Sequence, residues 1–158
     1  MIQRIQSVYF ALSGVIILLL FVVNIAVFSV ATGYNVSLNA LGISPADAIE
    51  KLSINVKTLS LTITTIFSGT LSLVALFLYK NRSVQMRLAR INIVLIGTII
   101  AQSVLISEDI YKQIAALGYE KGYFIGFVLP VIAIILTALA LRGVKKDEDL
   151  VKSMDRIR

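Results

Sequence analysis

The feature that most limits how this chain can fold is a series of four long apolar segments. A helix needs about 20 apolar residues to cross a hydrocarbon layer of roughly 30 Å. The segments lack the alternating pattern of barrel strands, so each can satisfy its backbone in lipid only as a helix. We therefore predict an all-α membrane protein with four transmembrane helices, at about Val8 to Val30, Leu59 to Leu78, Leu88 to Ile106 and Tyr123 to Leu141.

The composition agrees with this class. The chain has 158 residues, enough for a single domain over 1–158, and 58% of them are hydrophobic. Soluble domains contain about 45–50% apolar residues. Arg4 and a small-x-small site at Ser29 to Ala31 give the first segment some likeness to a signal peptide. Its apolar part exceeds the roughly 7–15 residues of a signal core, so we predict an uncleaved anchor.

The basic residues predict how the chain is threaded. Of 15 Lys and Arg residues, eleven lie before the first segment, in the 80–90 loop or in the 142–158 tail, and four lie in the other two loops. Cytoplasmic loops carry the excess of Lys and Arg. Both termini are therefore predicted to be cytoplasmic, and sequential helices to form an antiparallel bundle. The net charge of +6 is explained by topology rather than by nucleic acid.

The charged tail "GVKKDEDLVKSMDRIR" predicts an amphipathic cytoplasmic helix that continues the fourth span. Its apolar residues recur at helical spacing and its charges occupy the remaining positions. Two interpretations stay open, a solvated orienting tail and a docking helix. Because surface-binding helices usually keep a basic polar face, the mixed charge favours a protein partner over lipid. The apolar positions are Val144, Leu150, Val151, Met154 and Ile157.

The two ends of the chain hold its most specific patterns. The start is MIQRIQ, from Met1 to Gln6, and the close follows D-x-x-V-x-S-x-D-R-I-R up to Arg158, with Glu148 at its first acidic position and Asp149 next to it. Both resemble the ends of a small family of four-span inner-membrane proteins of Bacteroidota, a domain of unknown function. The resemblance implies a bacterial inner (cytoplasmic) membrane and a role for both ends. The cytoplasmic docking candidates are Arg4, Leu150, Val151, Met154, Asp155, Arg156 and Arg158.

The interiors of the four segments contain no Asp, Glu, Lys or Arg, since Arg90 near the start of the third is expected to reach the headgroups, and the chain has no His and no Cys. Proton relays, voltage sensors and ion-coupled carriers need ionisable groups at membrane depth. Carboxylate and His catalysis there is excluded for the same reason. We expect no enzyme activity, no cofactor and no metal. The adjacent acids Glu108 and Asp109 lie near an interface and are expected to be solvated.

Neutral polar and small residues supply the remaining candidates. Small and hydroxyl residues let helices approach closely and hydrogen-bond. We predict two helix-packing or partner-contact sets, with a pore lining as the alternative for the first. The sets are one face of the second segment (Thr58, Thr62, Thr65, Gly69 and Ser72) and a G-x-x-x-G repeat (Gly118, Gly122 and Gly126). Asn24, Asn92 and Gln102 are predicted to bond to neighbouring helices or another subunit.

The longest connection, from about Ala31 to Thr58, shows two weak patterns. "TGYNVSLNALGI" alternates apolar and polar residues, which indicates strand character. "SPADAIEKL" has Ser44 as an N-cap and Pro45 in the first helical position, which indicates a helix start. In the fourth segment, Pro130 predicts a kink.

The function predicted from these features is a non-catalytic accessory or scaffold subunit of an inner-membrane complex. Its partners would be the lipid bilayer and other membrane subunits, with no nucleic acid. The alternative is a small oligomeric channel or carrier for a neutral solute, lined by the hydroxyl face of the second segment.

Overall fold

The structure, a computed structural model, describes residues 3–29, 35–45, 54, 56–79 and 81–155. Most of these residues are helical. One-turn 3-10 helices follow the first helix at Leu19–Phe21 and the third at Ala115–Leu117. The described residues contain four α-helices, which are α1 (Gln3–Leu18), α2 (Leu59–Phe77), α3 (Arg82–Ile114) and α4 (Ile125–Asp155).

The helices pack in a closed ring. Helix α1 packs against α2 and α4, and α3 packs against the same two helices. Residues progressively later in α1 contact residues progressively earlier in α4, as in the hydrogen-bonded pairs Gln6–Asp147 and Ser13–Thr137. Helices α1 and α4 therefore run in opposite directions.

Length and composition make three helices of the described part able to cross a membrane. They are Leu59–Phe77, Arg82–Leu117 and Ile125–Val151, with a shorter apolar helix at Ile5–Phe21. Helix α3 is longer than the predicted third segment, because the residues around Glu108 continue the helix rather than form a loop. Pro130 lies inside α4, and the kink predicted from it stays a prediction.

The polarity of the helices is inverted relative to a soluble bundle. Large apolar side chains such as Val15, Phe67 and Val94 point outward and are exposed. Polar side chains such as Asn92 and Thr137 are buried between helices. A soluble protein places these two classes the other way round. The bundle therefore presents an apolar surface around a partly polar interior.

The predicted all-α fold is wrong for one end of the molecule, where a small sheet forms. Its strands are all antiparallel to their neighbours, in the order β3-β2-β1-β4. The alternation seen in the sequence is confirmed in β2, where Val36 and Leu38 are buried and their neighbours are half-buried. The strands of the described part are β1 (Ala26–Ser29), β2 (Val36–Asn39), β3 (Gly42–Ser44) and β4 (Glu120–Tyr123).

The helix predicted from Val8 to Val30 is wrong at its C-terminal end. The helical part finishes at Phe21, and Ala26–Ser29 form β1. Residues 22–29 include four β-branched side chains (Val22, Val23, Ile25 and Val27), which lose side-chain freedom in a helix and pack well in a sheet. Strands β2 and β4 flank β1 on both sides, so it is a buried central strand. A short apolar run of that kind cannot be told from a helix by periodicity.

The sheet covers the end of the bundle where α3 finishes. Phe28 and Leu38 belong to the same buried cluster as Ile106, Ile110 and Ile114 in the last turns of α3. We call this end of the molecule the sheet end, and the opposite end, near the close of α4, the Asp147 end. The helix predicted from "SPADAIEKL" falls mainly on residues 46–53, outside the described residues. Ser44 ends β3, and Pro45 follows it in a bend.

The predicted G-x-x-x-G groove is also wrong, because its glycines do not share a helix. Gly118 has a φ of 79° and ends the 3-10 turn, Gly122 lies in β4, and Gly126 lies in the first turn of α4. Gly126 alone makes a close backbone contact. Its N–H donates to the Asn24 carbonyl oxygen at 3.0 Å, and a Cβ at this position would overlap that oxygen.

Candidate functional site

The interface between α2 and α3 holds a row of side-chain hydrogen bonds centred on Asn92. Ser68 Oγ donates to Asn92 Oδ1 at 2.8 Å, and Asn92 Nδ2 donates to Ser72 Oγ at 2.7 Å. All three residues are buried. Further along, Thr64 Oγ1 donates to Gln102 Oε1 at 2.8 Å. Asn92 and Gln102 thus bond to a neighbouring helix, as their position in apolar segments predicted.

The hydroxyl face predicted on the second segment is used within the chain. Thr62 Oγ1 donates to the Ala40 carbonyl at 2.7 Å, and the buried Thr65 donates to the Leu61 carbonyl at 2.7 Å. Gly69 lies against the Leu18 side chain of α1. Thr58, at the N-cap of α2, makes no side-chain capping bond. Thr62, Gly69 and Ser72 thus contact neighbouring elements, whereas the Thr65 bond stays within α2.

The interface between α1 and α4 holds a second row of polar contacts. The hydroxyls of Ser13 and Thr137 lie 2.8 Å apart, and Ser13 also donates to the Ala133 carbonyl at 3.2 Å. Toward the end of α4, Gln6 Nε2 donates to Asp147 Oδ2 at 2.7 Å. Each of these polar side chains is buried. Lipid offers no hydrogen-bonding partner to a polar side chain, so paired bonds of this kind are the stable arrangement between helices in a membrane.

Asp147 is the acidic group that sequence reasoning missed. It is only 8% exposed, although it sits in the charged run "KKDED". Arg82 Nη1, at the start of α3, donates to the backbone carbonyl of Asp147 at 3.3 Å, so α1, α3 and α4 meet here. The sequence does contain a pattern that indicates the burial of Asp147. Continuing the helical spacing from Ala140 and Val144 places Asp147 on the face that α4 buries.

Gly143 allows this contact to form. A Cβ at Gly143 would lie 2.8 Å from Gln6 Cγ, closer than carbon atoms approach. The side chain of Gln6 therefore crosses α4 at the position where α4 has no side chain. The resulting site is a buried amide–carboxylate pair that ties the first turns of α1 to the last turns of α4.

The structure divides the predicted docking candidates into two groups. Leu150 and Val151 are 49% and 37% exposed on α4. Val144, assigned to the same apolar stripe, is instead buried with Phe10 and Ala140 inside the bundle. The stripe therefore splits between the core and the surface. Outside the described residues lie Arg156, Arg158 and the side chains of Arg4, Met154 and Asp155.

The adjacent acids near the sheet end each contact a lysine. Glu108 accepts a hydrogen bond from Lys121 Nζ, and Asp109 lies 3.8 Å from Lys112. Lys121 also lies over the rings of Tyr111 and Tyr123, at 5.5 and 5.1 Å from their centroids. The hydrogen bond to Glu108 raises the pKa of Lys121, partly opposed by burial. These contacts hold β4 against α3.

The described residues contain no group of three or more acidic side chains that could hold a metal ion. What the arrangement supplies is a set of interhelical hydrogen bonds, an exposed apolar pair on α4 and a cluster of cations beside it. Arg142, Lys145 and Lys146 form that cluster on the exposed face of α4.

Comparison with known proteins identifies the family. A search of curated proteins and a search of solved structures found no match. A family model described as a domain of unknown function (DUF4293) matches residues 2–157. The match covers nearly the whole chain, as the resemblance of its ends to an uncharacterised family had predicted, and the chain therefore belongs to the DUF4293 family.

Proposed function

We propose that this chain is a non-catalytic integral protein of a bacterial inner membrane that crosses the bilayer four times as an antiparallel bundle. The observation that carries the proposal is the inverted polarity of the helices. Apolar side chains such as Ile63 and Ile135 are exposed, whereas Ser68, Asn92 and Thr137 are buried and paired. Lipid as the surrounding medium makes both placements favourable.

The element lengths support this placement. Helix α1 and its 3-10 turn span about 30 Å at roughly 1.5 to 2.0 Å per residue, which matches a hydrocarbon core. Within the described residues the sheet ends at β3 and β4, whose outer edges need water or protein as hydrogen-bonding partners, so we place the sheet outside the hydrocarbon. Helix α4 has 31 residues. At about 46 Å it is longer than the core, so its charged end projects into water.

The basic residues support a cytoplasmic position for the Asp147 end. Arg82, Arg87, Arg142, Lys145 and Lys146 all lie there. The excess of Lys and Arg marks the cytoplasmic side of bacterial membrane proteins. In this orientation the sheet faces the outside, and both termini face the cytoplasm.

We further propose that the chain serves as an accessory or scaffold subunit, with the projecting part of α4 as its contact with a larger complex. Leu150 and Val151 are exposed apolar residues in a charged segment that leaves the bundle. Exposed apolar residues rimmed by charges are typical of a helix that docks in a protein groove. The interior polar groups are already paired, so they offer little chemistry for a substrate.

Site-specific crosslinking in cells tests the docking role. A photoreactive phenylalanine in place of Val151 is expected to capture one or more larger membrane proteins. The matched control is the same substitution at Ile135, an exposed position of α4 at membrane depth. Recovery of only the free monomer from the Val151 variant would contradict the accessory role.

The channel alternative makes a different prediction. If the hydroxyl face of α2 lined a pore, Thr62→Leu and Thr65→Leu would block solute flux in liposomes without harming assembly. The intramolecular bonds of both hydroxyls favour a packing role instead. We expect both variants to lower thermal stability in detergent and the wild-type protein to give no flux.

A further inference from the structure

A shallow groove runs along the exposed face of α4, beyond the part that we place in the membrane. Its volume is about 470 Å³. Three basic side chains and one acidic side chain line it, together with Leu150 and Ser153. The charged lining residues are Arg142, Lys145, Lys146 and Asp149.

The cations of this groove are available to a ligand. Arg142, Lys145 and Lys146 are all exposed. Within the described part of the chain, no acidic side chain forms an ion pair with any of them. Within the described residues, the groove therefore carries three cations against the single carboxylate of Asp149. A planar guanidinium beside two ammonium groups is a combination that suits a phosphate group.

The groove continues directly from an apolar surface. On the membrane side of Arg142, the same helical face exposes residues at three- and four-residue spacing, namely Val128, Val131, Ile132, Ile135 and Leu139. The spacing carries on from Leu139 to Arg142 and Lys146 without changing face. A molecule lying along α4 would meet first an apolar stripe and then a basic groove.

We infer that this face of α4 binds an anionic phospholipid of the inner leaflet. The phosphodiester headgroup would lie in the groove between Arg142, Lys145 and Lys146, and the acyl chains would lie along the apolar stripe. Basic pockets beside membrane-spanning helices on the cytoplasmic side bind anionic headgroups by this chemistry. Asp149, in the same groove, disfavours headgroups that carry additional negative charge.

The continuity of the two surfaces favours a lipid over a protein occupant. The stripe from Val128 to Leu139 faces the hydrocarbon, where a soluble partner cannot reach. The groove faces the headgroup layer, where a purely apolar partner would leave the cations unpaired. A phospholipid matches both surfaces at once. This inference needs the membrane placement proposed above. It shares Leu150, which lines the groove, with the proposed accessory contact, but it does not use Val151.

Native mass spectrometry of the purified protein in mild detergent tests the inference. We expect phosphatidylglycerol to form persistent one-to-one adducts and phosphatidylcholine to bind about tenfold more weakly. The Lys145→Gln/Lys146→Gln variant is expected to weaken phosphatidylglycerol binding about tenfold. The matched control Arg87→Gln/Arg90→Gln removes two exposed cations from α3 and is expected to change binding less than about twofold.

Two further arms separate the lipid from other occupants. Inorganic phosphate at the same concentration is expected neither to compete with the lipid nor to raise thermal stability. A photoreactive residue in place of Lys146 is expected to capture lipid in cells. The inference is overturned by equal losses in the two double variants, by equal binding of both lipids, by competition from inorganic phosphate, or by protein crosslinks at Lys146. The crosslinks from Val151 report on the accessory role separately.

Discussion

The two ends of the bundle are completed in different ways. At the sheet end, backbone groups pair within the sheet, and Phe28 packs in one cluster with Ile110 and Ile114. At the Asp147 end, one buried amide–carboxylate pair joins α1 to α4, while several cations remain exposed. The sheet end relies on backbone pairing and apolar packing, whereas the Asp147 end relies on a buried polar pair and exposes three cations beside the apolar Leu150 and Val151. From this comparison we expect the sheet end to be structural, and we propose that binding takes place at the Asp147 end.

The largest effect is expected at the sheet end, from Gly126→Ala. The added Cβ would overlap the Asn24 carbonyl oxygen, and the chain that connects α1 to β1 would have to move. We expect a loss of about 3 kcal/mol in the free energy of unfolding, typical of overpacking against backbone. Thermal unfolding in detergent measures it. Gly97→Ala is the control, because a Cβ there meets nothing within 4 Å. Equal stability of the two variants would show that the sheet end tolerates rearrangement.

The next effect is expected at the Asp147 end, from Gln6→Leu. This change leaves the buried carboxylate of Asp147 without its amide partner. Loss of a hydrogen bond to a charged group costs about 2 kcal/mol. The double variant Gln6→Leu/Asp147→Leu is expected to recover most of that loss, because both polar groups are then replaced by apolar ones. A double variant that is less stable than Gln6→Leu would mean that Asp147 has other partners.

A smaller effect is expected in the middle of the bundle, from Asn92→Ala. The change removes the partner of both Ser68 and Ser72. Interhelical hydrogen bonds in membranes contribute about 0.6–2 kcal/mol. Chemical denaturation in mixed micelles measures the loss, with Thr98→Ala as the control. Thr98 is exposed, and among the described residues its hydroxyl bonds to the carbonyl of Val94 in its own helix. A larger loss of stability for Thr98→Ala than for Asn92→Ala would show that the hydrogen bonds between α2 and α3 do not stabilise the bundle.

The smallest effect is expected from Lys121→Met, which breaks the ion pair with Glu108. Partly exposed pairs contribute less than about 1 kcal/mol. Because folding raises the pKa of Lys121, its contribution is complete below the ordinary value of 10.5 and disappears as the pH rises through the higher folded-state pKa. The melting temperatures of wild type and variant should therefore converge at alkaline pH. A constant difference would assign the effect to packing on Tyr111 and Tyr123 instead.

The parts of the fold that the sequence predicted are those set by long-range apolar pattern. The helices follow from segments too long and too apolar for anything else, and the interhelical bonds of Asn92 and Gln102 follow from polar groups in such segments. Strand β1 could not be predicted, because its partner β4 lies far away in the sequence and its apolar run joins that of α1. The glycine repeat misled for a related reason, since it crosses a strand and a helix start.

The candidate site was predicted in part. Leu150 and Val151 are exposed, as the helical spacing of the tail indicated. Asp147 was missed because a charged run is normally solvated, and its burial depends on Gly143 opening a path for Gln6. That contact joins residues 141 positions apart in the sequence. Neither residue alone carries a local signal of the pair.

Cysteine labelling in intact cells tests the central claim, that the two ends of the bundle lie on opposite sides of the membrane. The chain has no cysteine of its own, so any label on a single-cysteine variant reports the introduced thiol. Glu120→Cys places a thiol on β4 and Ser153→Cys places one on α4, both at exposed positions. A membrane-impermeant maleimide is added to spheroplasts before and after permeabilisation. We predict labelling of the Glu120→Cys variant from outside and of the Ser153→Cys variant only after permeabilisation. Labelling of both variants from the same side would contradict the account.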